Sequence, residues 1–126
     1  MSYRTPMSRV LGMGSAKDGV GHWWGQRLSS VAMIPLVVLA ILPLGGAIGA
    51  GHAAVRATYA NPWNAIVLIL LLAVTFRHLQ QGLQVVIEDY VHDKAWRTGL
   101  LLANIGFCAV MGLAGVFGVA KIALGA

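Results

Sequence analysis

Three long apolar stretches separated by short polar ones organise this chain. Residues 28–51 carry no charge, and neither do residues 98–120. Between them a third stretch opens near Trp63, stays apolar through Phe76 and continues past Arg77 and His78 to about Ile87. Each meets the requirement of about 20 residues for a helix to cross the hydrocarbon core of a bilayer. The pattern predicts an all-α membrane protein with three transmembrane helices: an N-terminal segment over 1–27, then one membrane domain over 28–126 with spans near 28–51, 63–87 and 98–120. The connections 52–62 and 88–97 are short, so consecutive spans are expected to lie antiparallel as neighbours. The run Ala47-Ile48-Gly49-Ala50-Gly51 resembles a signal-peptide cleavage site. The 27 residues before the first apolar run are long for a signal n-region, however, and that run has the length of a span, so it reads as a span.

Composition agrees. The chain is 58% hydrophobic and only 10% charged, with a mean hydropathy of +0.75, whereas a soluble domain carries about 25% charged residues. So few charges cannot clothe a water-facing surface. The formal net charge of +5 invites a nucleic-acid reading, but the nine Lys and Arg residues are scattered. They read better as orientation signals. One side would hold Arg4, Arg9, Lys17, Arg27, Lys94 and Arg97 and the other Arg56 and Lys121, which places the N-terminus and the second connection in the cytoplasm. Trp23, Trp24 and Trp96 then mark the cytoplasmic interface, and Tyr59 and Trp63 the opposite one. Cys108 is the single cysteine, so no intrachain disulfide and no cysteine metal cluster can form. Pro35 and Pro43 should bend the first span or free carbonyls for neighbours. Gly45-x-x-x-Gly49 and Ala114-x-x-x-Gly118 permit close helix approach.

Chemistry concentrates in the second span. An ionisable residue at membrane depth is costly without a partner, which makes His78 a functional candidate. A neutral imidazole is a common axial ligand of haem iron; the bland alternative is a histidine hydrogen-bonded to a neighbouring helix. His22, His52 and His92 flank the spans, so a haem needing two buried histidines would take its second from another protein chain. Asp89 follows His78 by eleven residues, with Tyr90 next. At ~100° per residue that step returns Asp89 to within ~20° of the His78 face, about 17 Å along the axis. Glu88 and Asp89 stand against the negative end of the helix dipole, which favours a role or a basic partner for them. A phenol can donate to a quinone carbonyl, and an adjacent carboxylate can relay protons. Arg27, at the start of the first span, reads either as a snorkelling anchor or as a contact for a haem propionate or a reduced quinone. Arg77 lies deep and must reach a carboxylate, a propionate or water. A channel or transporter component would need more polar positions on the other spans than Ser29, Ser30 and Asn104 supply.

The motif from Gly82-Leu83-Gln84-Val85-Val86-Ile87 into Glu88-Asp89-Tyr90-Val91-His92, with His78 upstream, resembles the hydrophobic membrane anchor of succinate dehydrogenase, of the cytochrome b type. So does His22-Trp23-Trp24-Gly25-Gln26-Arg27-Leu28-Ser29-Ser30 leading to Ile34-Pro35-Leu36. The match looks closest to the bacterial lineage related to mitochondria. The resemblance implies half of a heterodimeric haem-binding helical bundle in the bacterial inner membrane, N-terminus cytoplasmic and C-terminus periplasmic. His78 would be the axial ligand of haem b, opposite a histidine of the second membrane anchor protein of the complex. Tyr90, supported by Asp89, would bind ubiquinone at a site shared with that second anchor and the iron–sulfur subunit. Arg27 would lie near the haem propionates or the quinone pocket, and a flavoprotein subunit would oxidise succinate and dock through the iron–sulfur subunit. A fumarate reductase anchor and a haem-free structural anchor are the near alternatives.

The basic-residue asymmetry yields a direct expectation. A reporter fused after Ala126 should report from the periplasm, and one placed in the 88–97 connection from the cytoplasm; the reverse would overturn the orientation and the interfacial placement of Tyr90.

Overall fold

The computed structural model describes residues 5–12 and 19–125. Five helices follow one another: α1 (Pro6–Leu11), α2 (Gly19–Ala47), α3 (His52–Ala60), α4 (Pro62–Tyr90) and α5 (Lys94–Ala123). Three of them, α2, α4 and α5, are long and apolar enough to cross a membrane. Helices α4 and α5 extend beyond the anticipated spans at both ends, whereas α2 starts nine residues early, at Gly19, and stops at Ala47, short of the expected 51.

Local chemistry sets the boundaries. Asn61 caps α4 by accepting the Trp63 backbone N–H at 2.9 Å, and Pro62 occupies the first turn, where its missing N–H costs nothing. Asp93 caps α5 in the same way, accepting from the Trp96 N–H at 2.9 Å. Only residues 91–93 separate α4 from α5, so the two must fold back as an antiparallel hairpin. Helix α2 runs through both Pro35 and Pro43 without a break. It ends in a turn where Gly49 and Gly51 take φ values of +83° and +85°, a conformation that disfavours any residue with a Cβ.

The connection 52–62 differs from the plain loop expected. Its sequence His-Ala-Ala-Val-Arg-Ala-Thr-Tyr-Ala is rich in the best helix former and folds as α3. Tyr59, anticipated as an interfacial aromatic, is buried here: its hydroxyl donates to the Ala40 carbonyl at 3.3 Å and pins α3 against α2. Burial raises the phenol's pKa, which keeps it a donor.

Helix α4 is the middle of a layer. It packs against α2 on one flank and α5 on the other, while α2 and α5 make no backbone-level contact among the described residues. Glycines set the closest approaches. A Cβ on Gly112 would lie 3.3 Å from Phe76 Cβ, and one on Gly115 would lie 3.3 Å from Leu72 Cδ1. Gly45, Gly49 and Gly118, of the small-residue motifs read from the sequence, face open space within this chain. Gly49 lies past the end of α2, so that motif cannot present one continuous helical face. Only 6, 11 and 17% of the most apolar windows of α2, α4 and α5 are buried within the chain. Most of the apolar surface is left for lipid or other subunits.

The Phe76 contact gives a stability test. Gly112→Leu should destabilise the α4–α5 hairpin by about 1–3 kcal/mol through overpacking. Gly118→Leu, on the same helix but facing open space, should change it by less than about 0.5 kcal/mol. Unfolding in a denaturing detergent series measures both, and equal effects would contradict the packing described.

Candidate functional site

Interhelical polar contacts at membrane depth converge on α4, and His78 is at their centre. The α2 residues Gln26 and Ser29 lie one turn apart on the face turned to α4 and take hold of both ring nitrogens. Ser29 Oγ is 2.9 Å from His78 Nδ1, and Gln26 Nε2 is 3.2 Å from His78 Nε2. The hydroxyls of Ser29 and Ser30 each donate to the Gln26 carbonyl at 2.9 Å. A serine has one proton to give. With that proton on the carbonyl, Ser29 can only accept from the imidazole, so Nδ1 carries the ring hydrogen. The Gln26 amide nitrogen can only donate, so Nε2 must present its lone pair. Both ends of the ring therefore assign the same neutral tautomer.

Close backbone approach makes these contacts possible. A Cβ on Gly25 would fall 2.7 Å from Gln81 Nε2, a side chain itself 2% exposed, and one on Gly82 would lie 3.6 Å from Gln26 Nε2. Glycine at 25 and 82 thus lets α2 and α4 come near enough for short side chains to bridge them. Two polar atoms in this seam remain without partners among the described residues: Gln26 Oε1 and His22 Nε2, both buried. Each unsatisfied group costs about 1–3 kcal/mol. His22 was expected to flank the first span; it lies in the first turn of α2, one turn before Gln26 on the same face.

The opposite flank of α4 carries a ladder. Arg77 donates to Gln80 Oε1, Gln80 Nε2 to Gln84 Oε1 at 3.3 Å, and Gln84 Nε2 to Glu88 Oε1 at 2.9 Å. Arg77 reaches a carboxylate only through two amides, and these hydrogen bonds follow helical neighbours three and four residues apart. Asn104 of α5 adds a cross-link, donating to the Gln80 carbonyl at 2.8 Å and accepting from Cys108 Sγ at 3.5 Å. Arg77, Gln80 and Gln84 edge an otherwise apolar groove between α4 and α5, about 580 Å³ in volume, floored by Phe76, Cys108 and Gly112. The groove does not include His78.

Helix α4 is unbroken to Tyr90, so the eleven-residue step places Asp89 about 17 Å from His78 along the axis. Asp89 and Tyr90 are exposed at its C-terminal end, Tyr90 at 78%, and neither has a hydrogen-bond partner among the described residues. Arg27 lies with its guanidinium 5.0 Å from the centroid of the Trp23 ring, and Trp23 meets Trp24 edge-on. It does not touch His78, although its neighbour Gln26 does. Arg27 stands out in the sequence as a charge, and Gln26 does not. The available signal was that Gln26 and Ser29 share a helix face with His22, three polar residues at spacings of four and three.

No group of three or more His, Cys, Asp or Glu side chains gathers among the described residues. What the seam does present is one imidazole nitrogen without a proton, held by a displaceable neutral amide, beside orphaned buried polar atoms. A neutral imidazole of this kind fits a haem iron, for which it is a common ligand.

These features define a class: a multi-pass helical membrane protein that presents a single imidazole nitrogen from an interhelical seam. Residues 1–113 match the family described as the succinate dehydrogenase/fumarate reductase transmembrane subunit, and the chain belongs to that family. Among curated relatives, the succinate dehydrogenase hydrophobic membrane anchor subunit of Paracoccus denitrificans is 30% identical over 126 residues, covering 100% of this chain and 97% of the relative. The Rickettsia conorii protein of the same description is 26% identical over 109 residues, 86% of each chain. The succinate dehydrogenase membrane anchor subunit of Reclinomonas americana is 27% identical over 84 residues, 64% of this chain and 70% of its own. No solved structure matches the chain.

Proposed function

We propose that this chain anchors a succinate:ubiquinone oxidoreductase in the bacterial inner membrane and supplies one wall of its haem b and ubiquinone sites. The observation that carries the reading is His78, held at membrane depth with Nδ1–H donated to Ser29 and the Nε2 lone pair turned to an exchangeable partner. Family membership and the likeness to succinate dehydrogenase anchor subunits support the choice of enzyme. When bound, the haem takes up and releases one electron at a time. If the haem takes two histidines, the second would be supplied by the other membrane anchor protein of the complex. The layered arrangement, with α2 and α5 apart, leaves broad apolar faces for that partner.

At the cytoplasmic end, Tyr90 donates its hydroxyl to a ubiquinone carbonyl and Asp89 supports the proton supply. Their exposure in the single chain suits a site completed by the iron–sulfur subunit, which receives the electrons of succinate from the flavoprotein. Arg27, stacked on Trp23 beside the Gln26 that meets His78, would turn toward a haem propionate or the quinone. In this reading the N-terminus lies in the cytoplasm and the C-terminus in the periplasm, with the membrane anchor between them starting within α2.

Two measurements test this on the complex purified in mild detergent. His78→Ala should abolish or shift the low-spin haem b spectrum, whereas His52→Ala should leave it unchanged; an unchanged spectrum in His78→Ala removes the ligand assignment. Tyr90→Phe should lower succinate-to-quinone turnover by about five- to 150-fold, the equivalent of one lost hydrogen bond of roughly 1–3 kcal/mol. Succinate oxidation with an artificial acceptor upstream should hardly change. Loss of both activities together would make Tyr90 a docking residue instead.

A further inference from the structure

We propose that Ser29 is the positioning residue of the axial imidazole: its hydroxyl accepts the Nδ1–H of His78, fixes the tautomer and ring plane, and raises the basicity of Nε2. The inference rests on the haem-ligand reading of His78 and extends it to a residue on a different helix. Three observations carry it. The Ser29 Oγ to His78 Nδ1 distance of 2.9 Å is that of a good hydrogen bond. The same hydroxyl lies 2.9 Å from the Gln26 carbonyl, to which it gives its only proton, leaving its lone pairs for the imidazole. At the other nitrogen, the Gln26 amide nitrogen faces Nε2 at 3.2 Å, in keeping with the Nδ1–H tautomer.

The chemistry of such a contact is specific. A ligating histidine that donates its second ring N–H to an acceptor is held in one orientation and is a stronger base toward the metal. A serine hydroxyl is a neutral acceptor, weaker than a carboxylate. It therefore orients the ring fully while adding only modest electron density to Nε2. Stronger donation favours ferric over ferrous iron, so the Ser29 contact lowers the midpoint potential slightly from that of an unbonded imidazole. Gln26 has the opposite part. Its amide satisfies the Nε2 lone pair until an iron competes for the same electrons, and its own Oε1 has no partner among the described residues.

The test uses the assembled complex carrying Ser29→Ala, Ser29→Thr or Ser29→Cys, read by potentiometric titration of the haem and by its low-temperature EPR g values. Ser29→Ala should raise the midpoint potential, shifting the ferric-to-ferrous preference by up to about tenfold, or about 59 mV for one electron. It should also change the g anisotropy, because the ring plane is released. Ser29→Thr keeps a hydroxyl and should restore both signatures. Where Ser29→Ala does not assemble, Ser29→Cys decides, since a thiol is a weak acceptor and should shift the potential in the same direction. A Ser29→Ala or Ser29→Cys complex with unchanged potential and g values overturns the role of Ser29 alone. Haem that is absent from the parent complex, or unaltered by His78→Ala, overturns the ligand reading and this inference with it.

Discussion

Polar side chains that sit in a bilayer must find partners inside the protein, and α4 carries nearly all of them. His78, Gln81, Arg77 and Gln80 fall within five consecutive residues of one spanning helix. On its α2 flank, the imidazole is taken up by Ser29 and Gln26, and the Gln81 side chain lies against Gly25, where a Cβ would collide with it. On the other, Arg77 and Gln80 pass their hydrogen bonds down the helix to Glu88, and Asn104 ties the same turn to α5. Hydrocarbon offers no alternative partners, so these contacts fix the rotation and height of α2 and α5 relative to α4. Apolar packing alone would specify neither, because lipid tails solvate leucine as well as another helix does.

The same constraint explains why the three spans form a layer and not a closed triangle. With α4 gripping a neighbour on each side, α2 and α5 are kept apart, and no large side chain among the described residues becomes fully buried. The chain thus leaves most of its apolar surface for lipid or other subunits. Two buried polar atoms left without partners lie at the seam that a cofactor would complete. The exposed Asp89 and Tyr90 stand at the C-terminal end of α4.

Much of this was legible from residue order. The three spans follow from length and charge avoidance, and His78 is conspicuous because imidazoles are rare at that depth. The eleven-residue step to Asp89 needs only helical periodicity, since α4 is continuous. What could not be read was the phase of one helix against another. Gln26 and Ser29 are ordinary polar residues near a helix start until the rotation of α2 turns them onto His78. Arg27 is more conspicuous as a charge, yet it faces Trp23. The Gly45-x-x-x-Gly49 motif failed as a guide because the helix ends between its two glycines. The real close approaches occur at Gly25, Gly112 and Gly115, where the pairing is decided by what stands opposite. Alanine-rich 52–60 illustrates the converse, a local preference strong enough to make a helix where only a loop was needed.

The central claim is that His78 Nε2, set by α2, is the nitrogen this chain gives to iron. Pulsed EPR hyperfine spectroscopy of the low-spin ferric haem tests it most directly, in a complex reconstituted with histidine labelled by ¹⁵N in this chain alone. Beyond the porphyrin nitrogens, which remain ¹⁴N throughout, the expected result is one strongly coupled ¹⁵N from this chain. Coupling to ¹⁴N alone would contradict the claim, and would leave the α2–α4 seam as a structural joint only.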